Sequence, residues 1–373
     1  MTGKPAYRIL VLGGYGNFGA RIVRALAMEE CHLLVAGRDE RRAREFAAGP
    51  GGKAATLQGI ALDTHDPQLA ARLAALRVDL VIHTAGPFQG QSREVAQACI
   101  EARAHYIDLA DGREFVCGIG ALDAAARERG VLVVSGASTV PALSAAVVDR
   151  FRDRFDSIDS IAIGITPGNR TPRGLSTVQS VLSYCGRPFK RWEKGAWRDV
   201  YGWQDQHRVF YPELGWRWFG NCDVPDLSLF PQRYSVKDRV RFHAGLELAV
   251  IQWPLWLMSW LARWHIVKSW APAAKWLRDA SDWLLPFGSD AGGMHVDIEG
   301  IAEGRELRLR WMLTALEGHG PEIPCIAAIV IARKLMSGRL TRAGATPCLD
   351  LMTLDEFDAA VSGLNIRWTI EAP

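Results

Sequence analysis

The sequence has no C-x-x-C pair, no H-x-x-x-H spacing and no G-x-S-x-G turn. The first two absences remove the common ligand spacings of a zinc site, and the third removes the nucleophile elbow of an α/β-hydrolase. No metal site is expected. Charge of one sign is also lacking: 44 Lys and Arg stand against 41 Asp and Glu, a net charge of +3. That balance gives no case for nucleic acid as a partner. The seven cysteines, at 31, 99, 117, 185, 222, 325 and 348, are odd in number and scattered. They read as reduced thiols of a cytoplasmic protein. The opening MTGKPAYR leads directly into an apolar strand, with no signal-peptide core.

What is present is a globular composition, 49% hydrophobic and 23% charged over 373 residues. That length is too great for one ordinary core, so two domains are expected. The stretch Tyr7 to Ala27 organises the first. Arg8-Ile9-Leu10-Val11-Leu12 has the apolar run of a buried parallel strand. Gly14, Gly16 and Gly19 then form G-x-G-x-x-G, and Ala20, Ile22, Val23 and Leu26 follow at helical spacing. In such a strand–turn–helix, the first glycine permits the tight turn and the second lets a pyrophosphate approach the backbone. The third allows close helix–strand packing. Gly14, Tyr15, Gly16, Asn17, Phe18 and Gly19 are therefore candidates for cofactor binding, with the pyrophosphate on the helix N-terminus.

A second strand, His32 to Ala36, ends in Gly37-Arg38-Asp39. An NAD site usually places an acidic residue there for the ribose 2′-OH. A small residue followed by Arg38 instead leaves room for a 2′-phosphate and supplies a planar donor fork. NADP is the expected cofactor. NAD remains the alternative if Asp39 turns toward the ribose. Further strands are expected at Ala54–Leu62, Val78–His83, His105–Leu109 and Val131–Val134, with helices between them. Six strands in this alternation make a doubly wound parallel sheet of the Rossmann type. Ala85, Gly86 and Pro87 lie just past the fourth strand and Gly136 just past the sixth, at the strand ends where such sheets bind ligands.

This set of features resembles the NADP-binding domain of the saccharopine dehydrogenase (saccharopine reductase-like) family. The residues carrying the resemblance are the glycine loop, Ala36-Gly37-Arg38, Ala85-Gly86-Pro87-Phe88, Ala104 to Leu109, and the Ser135-Gly136 turn leading to Pro141. The resemblance implies a nicotinamide cofactor and hydride transfer, often on amino-acid-derived imines, and a second α+β domain. Two departures bear on the substrate. Ala110-Asp111-Gly112 and Ser138-Thr139-Val140-Pro141 stand where the family's amino-acid enzymes often have an acidic turn and an Asp-Pro-Gly turn. The small-molecule substrate therefore need not be an amino acid.

The expected domains are 1–150 for the dinucleotide, 151–320 for substrate or dimerisation, and 321–373 as C-terminal helices and a strand packing back on the first. Residues 187–242 are aromatic and irregular, readable only as short strands and loops. The segments 294–300 and 306–311 alternate as an antiparallel hairpin around Gly304. Thr353 with Glu356 three residues on forms a capping box. No residue is singled out for catalysis. The candidates are His83, Asp108 and Asp111 at strand ends, and Tyr184 and His207 from the second domain. Asp108 could equally cap its neighbouring loop. Arg170 and Arg173 are candidates for a substrate carboxylate, or plain surface charges.

The second unusual feature is a helical insertion, 246–287. Of the chain's 14 Trp, seven fall between Trp253 and Trp283. Trp253, Trp256, Trp260 and Trp264 share one helical stripe. The uncharged run Leu248–Ala262 is 15 residues long, short of the roughly twenty that span a bilayer. Basic residues Arg263, Lys268, Lys275 and Arg278 accompany it. Three readings stay open: insertion of 246–283 into the inner face of a membrane, a homodimer interface, or a lid over an apolar substrate. The functional expectation is an NADP-dependent oxidoreductase, with a membrane-associated NADP-binding protein without turnover as the alternative.

If Arg38 holds the 2′-phosphate, wild-type protein binds NADPH more tightly than NADH. Arg38→Ala then loses about 1.5–3 kcal/mol for NADPH and little for NADH. Equal affinity of wild type for both cofactors, by titration, would remove Arg38 from the site.

Overall fold

The computed structural model describes residues 7–49, 51–54, 56–172 and 174–371. In chain order the first elements are β1 (Arg8–Leu12), α1 (Asn17–Leu26), β2 (His32–Gly37), α2 (Glu40–Ala47), β3 (Thr56–Ala61) and α3 (Leu69–Ala75). There follow β4 (Leu80–His83), α4 (Glu94–Glu101), β5 (His105–Asp108), α5 (Arg113–Cys117), α6 (Asp123–Arg129) and β6 (Leu132–Ser135). The next group is α7 (Ser144–Phe151), β7 (Ser157–Thr166), α8 (Leu175–Ser183), β8 (Pro188–Glu193), β9 (Ala196–Tyr201), β10 (His207–Tyr211) and β11 (Gly215–Asn221). After these come α9 (Asp226–Arg233), β12 (Arg239–Leu246), α10 (Ala249–Arg263), α11 (Ala274–Asp282), β13 (Gly292–Ala302) and β14 (Arg305–Ala315). The chain closes with α12 (Ile323–Met336), β15 (Gly344–Pro347), α13 (Leu354–Ala360) and β16 (Ile366–Glu371). Two compact units result: Met1–Leu143 with Pro324–Ala360, and Ser144–Ile323 with Val361–Pro373.

The first unit is a parallel sheet in the order β15-β6-β5-β4-β1-β2-β3. Ile9 to Leu12 and Leu80 to Ile82 are almost wholly buried, as strands covered on both faces must be. On α1 the residues Gly19, Ala20, Ile22, Val23 and Leu26 face inward, one stripe at helical spacing. Seven strands replace the expected six. Gly344–Pro347 pairs in parallel with β6, although four residues ending in proline carry no strand signal of their own. Asp123 places it, accepting from Ala345 N at 2.8 Å. The capping box at α13 forms as read: Glu356 N donates to Thr353 Oγ1 at 3.1 Å and Thr353 N to Glu356 Oε2 at 3.0 Å.

The second unit is built on a mixed sheet, β10-β11-β12-β7-β13-β14-β16. The hairpin expected around Gly304 extends over eleven residues on each side. Its turn residues Glu303 and Gly304 both have positive φ, 50° and 76°, the twist that suits a two-residue hairpin. Residues 187–242 are more regular than their composition suggests, holding the hairpins β8–β9 and β10–β11 and the helix α9. The sheet is strongly curled. Four strand spacings separate β10 from β13, about 19 Å in a flat sheet. Yet Tyr211 Oη on β10 lies 2.7 Å from His295 Nδ1 on β13. Glu213, just past β10, accepts from Thr314 on β14 and pairs with Arg367 on β16, each at 2.6 Å.

The Trp-rich insertion is α10, a turn and α11, between β12 and β13. Leu255 and Ala274 pack against Leu182, Cys185 and Trp203 in a small core of their own. Among the described residues no helix is long and apolar enough to cross a membrane. None of the seven cysteines is in a disulfide.

Candidate functional site

The glycine turn connects β1 to α1 at the carboxyl edge of the first sheet. Gly13 and Gly14 both donate to Ala36 O on β2, at 2.8 and 3.2 Å. A Cβ on Gly19 would stand 2.2 Å from Gly13 O, and one on Gly14 would stand 2.8 Å from Val11 O. Both positions need glycine for packing. Gly16 differs: a Cβ there meets only Gly13 O at 3.0 Å, and its backbone is extended, with φ −79° and ψ 179°. Apart from Gly13 O and its own chain neighbours, no heavy atom of the described residues lies within 4 Å of that Cβ position. As N-cap of α1 it brings no side chain to the first-turn amides, and that turn holds no acidic residue. A phosphate group fits those conditions.

Three of the expected segments meet here. The Tyr15 ring occupies the space beside Gly37, where a Cβ would stand 2.3 Å from it. Its Oη accepts from Asp39 N at 3.2 Å. Asp39 itself caps α2, accepting from Arg42 N at 3.1 Å. Arg38 is exposed at the end of β2. Arg42, one turn into α2, places its guanidinium 5.1 Å from the Tyr15 ring centroid. The sequence reading missed this second arginine, and its position four residues past Arg38 was the available clue. On the other side Thr84 donates through N and Oγ1 to Leu12 O, at 2.9 and 2.7 Å. A Cβ on Gly13 would meet Thr84 Oγ1 at 2.8 Å and Ala85 N at 3.2 Å, so Ala85 lies against the turn. The Gln91 amide fixes the Ala85-Gly86-Pro87 loop, donating to the carbonyls of Ala85 and Pro87 at 3.2 and 2.6 Å.

The chemical candidates are differently placed. Asp108 is fully buried, and its Oδ1 accepts from Ala110 N at 2.9 Å, Ser135 Oγ at 3.0 Å and Gly136 N at 2.8 Å. It ties the end of β5 to the end of β6. Burial pushes its carboxyl up to about 6, and the amides of Gly136 and Ala110 partly offset that rise. The Gly136 amide, expected to serve the cofactor, is thereby committed to Asp108, and Pro141 Cδ lies 2.7 Å from where a Gly136 Cβ would be. His83 is also buried, with Nδ1 3.0 Å from Tyr106 Oη and its ring 5.1 Å from Phe88. Desolvation lowers its imidazole to about 4, which keeps it neutral at pH 7. Asp111 is exposed and accepts from Gln89 Nε2 at 3.0 Å.

Tyr184, His207 and Arg170 belong to the second unit. The Tyr184 ring stacks on Trp203 at 6.2 Å, and Cys222 Sγ donates to its Oη at 3.0 Å. The Arg170 guanidinium donates to the carbonyls of Leu285 and Pro286, at 3.3 and 3.1 Å. It secures the turn at the end of the Trp-rich insertion. Arg173 lies outside the described residues. His207 joins a group that the sequence gave no means of assembling. His243 and His295 both pair with Gly164 on β7, so they share one face of the curled sheet. His207 and His243 meet edge to face at 4.3 Å. Burial lowers all three imidazoles, His295 to about 4. Neutral and interleaved with Tyr211 and Phe219, they form a polar core for this sheet. Among the described residues no three His, Cys, Asp or Glu side chains are placed to hold a metal ion.

Glycine turn, parallel sheet and carboxyl-edge loop define a dinucleotide-binding domain of the doubly wound class. Residues 9–134 match the family model described as saccharopine dehydrogenase NADP binding domain. The whole chain is similar in fold to a saccharopine dehydrogenase (L-Glu forming) from Saccharomyces cerevisiae. That match has a TM-score of 0.68 and 14% identity, over 98% of this chain and 100% of the other. An amine dehydrogenase from Mycobacterium smegmatis is similar over 93% of this chain and 96% of its own, with 10% identity and a TM-score of 0.50. No curated protein matches the sequence.

The two glycine roles separate by mutation. Gly16→Val should retain the far-UV circular dichroism and melting transition of wild type while losing NADPH binding at least a hundredfold. Gly19→Ala should lower the melting temperature, because its Cβ has no room. Retained affinity in a folded Gly16→Val protein would place the pyrophosphate elsewhere.

Asp108 gives a second test. Its folded-state pKa lies above the ordinary value, so this group's contribution is largest below pH 4 and falls as pH rises toward 6. The loss is about 3 kcal/mol at most. Asp108→Asn keeps an oxygen for the three donors and should flatten that slope in denaturant unfolding. Asp108→Ala strands the donors and should cost about 2–4 kcal/mol throughout. Equal stability of the two variants would show that the clamp contributes nothing.

Proposed function

We propose that the protein is an NADP-dependent oxidoreductase that transfers hydride to or from a small-molecule substrate that need not be an amino acid. The observation that carries the reading is the contrast at the glycine turn. Gly14 and Gly19 are glycines because the protein fills their surroundings, whereas Gly16 is open. Gly14, Tyr15, Gly16, Asn17, Phe18 and Gly19 hold the pyrophosphate. Arg38, with Arg42 beside it, takes the 2′-phosphate, and Asp39 is occupied as a helix cap. Ala85, Gly86 and Pro87 line the side of the turn toward β4, held rigid by Gln91. The Gly136 amide supports this edge by donating to Asp108. The nicotinamide supplies the hydride chemistry, so the protein's work is alignment and exclusion of water. Cytoplasmic placement suits seven cysteines without a disulfide among them.

The non-catalytic alternative draws no support from a family described by its dehydrogenase. Small molecules copurifying with the protein, incubated with NADPH deuterated at the transferable position, test the reading by mass spectrometry. Deuterium should appear in one copurifying compound with wild type and not with Gly16→Val. Tight NADPH binding with no deuterium leaving the cofactor would overturn the catalytic reading in favour of a sensing role.

A further inference from the structure

The helix α10 is apolar on the side that the protein leaves uncovered. Its buried face is Gln252, Leu255, Ser259 and Ala262, two of them polar and one small. Gln252 has no exposure and is satisfied inside, donating to Gln206 Oε1 at 2.7 Å and accepting from Leu246 N at 3.2 Å. The outward side carries Val250, Trp253, Leu257 and Trp264, all exposed. A surface helix ordinarily has the reverse arrangement. Hydrophobic burial within this unit therefore does not explain these side chains.

The outward rings form one continuous array. Trp253, Trp256, Trp260 and Trp264 follow one another at centroid spacings of 5.5, 6.2 and 5.3 Å. Trp218 on β11 extends the array, 4.9 Å from Trp253. Arg208 bridges onward, its guanidinium about 5 Å from both Trp218 and Trp216. Past α10 the exposure grows: Trp276 is 70% exposed, Trp283 85% and Phe287 75%. The turn carrying Phe287 is held by Arg170 through the carbonyls of Leu285 and Pro286. Trp253, Trp264, Trp276, Trp283 and Phe287 face water, with Trp218, Trp256 and Trp260 half-buried.

Charge selects the occupant. Residues 250–287 contain Arg263, Lys268, Lys275 and Arg278 against Asp279 and Asp282, a net charge of +2. Lys268 and Lys275 are exposed, and neither side chain makes an ion pair among the described residues. The first acidic residue after them, Asp279, is taken up by Arg278 at 2.7 Å. Exposed indoles beside unpaired lysines match the boundary of an anionic bilayer, where indole sits at head-group level and ammonium meets phosphate. Aliphatic Val250, Leu257 and Ile266 on the same segment do not suit a platform for sugars or bases. The core of a subunit interface would be poor in lysine. At fifteen residues α10 is about 22 Å long, too short to cross the hydrocarbon layer.

We infer that the outward face of residues 250–287, extended by Trp218 and Trp216, seats the protein on the surface of an anionic lipid bilayer, with its indoles at the interface and its backbone outside the hydrocarbon. This does not depend on catalysis or on the cofactor. The test is cosedimentation with vesicles of phosphatidylglycerol and phosphatidylcholine, and with phosphatidylcholine alone. Wild type should pellet with the anionic vesicles at low salt and at least tenfold less at high salt. Trp276→Ser/Trp283→Ser removes two rings that are mostly in water, so folding should be preserved. That variant should lose at least tenfold in vesicle binding while NADPH affinity stays within twofold of wild type. Lys268→Glu/Lys275→Glu should reduce binding and its salt dependence together. The inference is overturned if wild type ignores anionic vesicles at low salt or if the Trp double variant binds as well as wild type. It is also overturned if that variant only changes mass in sedimentation equilibrium, which would make a second copy the occupant. Absence of hydride transfer would leave these results unaffected.

Discussion

The first unit depends on a missing atom. Helix α1 lies so close to the loop after β1 that a single Cβ on Gly19 would overlap Gly13 O. That approach fixes the helix N-terminus over the carboxyl edge of the sheet. Gly14 against Val35 and Gly37 against Tyr15 repeat the same economy of space on the β2 side. Thr84 pins the loop after β4 to the carbonyl of Leu12. Three segments distant in sequence thereby converge on one turn. Gly16 stands among them as the glycine that packing requires least, which gives the nucleotide reading its physical content.

Polar side chains at strand ends invite a catalytic reading, yet several here are spent on architecture. Asp108 collects two amides and a hydroxyl from neighbouring segments, and those bonds offset part of the cost of burying a carboxyl. His83 lies beneath Phe88 and bonds to Tyr106. In the second unit, three imidazoles sit inside a curled sheet as neutral rings, with Gly164 leaving room for His295. Among the candidate acids and bases, Asp111 is the one that the first unit leaves exposed at its carboxyl edge. Unit by unit, the residues are engaged more in fixing loops than in moving protons.

The Trp-rich insertion shows the opposite balance. Its most exposed rings, Trp264, Trp276 and Trp283, are left uncovered by the fold, while Gln252 and Ser259 occupy the side that a core would normally claim. Arg170, read first as a ligand for a carboxylate, instead steadies the end of this insertion. An arrangement of fixed rings and unpaired lysines is a surface property. It leaves the cofactor unit free to follow its own packing rules.

The sequence by itself determined the elements whose signals are local. The strand–glycine–helix opening, the Gly37-Arg38 strand end, the hairpin around Gly304 and the capping box at Thr353 rest on contacts within a few residues. Their patterns are complete in the chain. The stripe of Trp253 to Trp264 was legible for the same reason, since helical spacing alone aligns those rings. What only the tertiary structure decided were the partners of those patterns. Gly344–Pro347 becomes a seventh strand because β6 and Asp123 supply its hydrogen bonds. Asp108 becomes a clamp because Ser135 and Gly136 arrive beside it. His207, His243 and His295 meet because the sheet curls through several strand spacings, and which side of α10 faces water was settled by Gln206, Leu182 and Trp203. Local periodicity says which side chains share a face; burial depends on distant segments, whose approach no short stretch encodes.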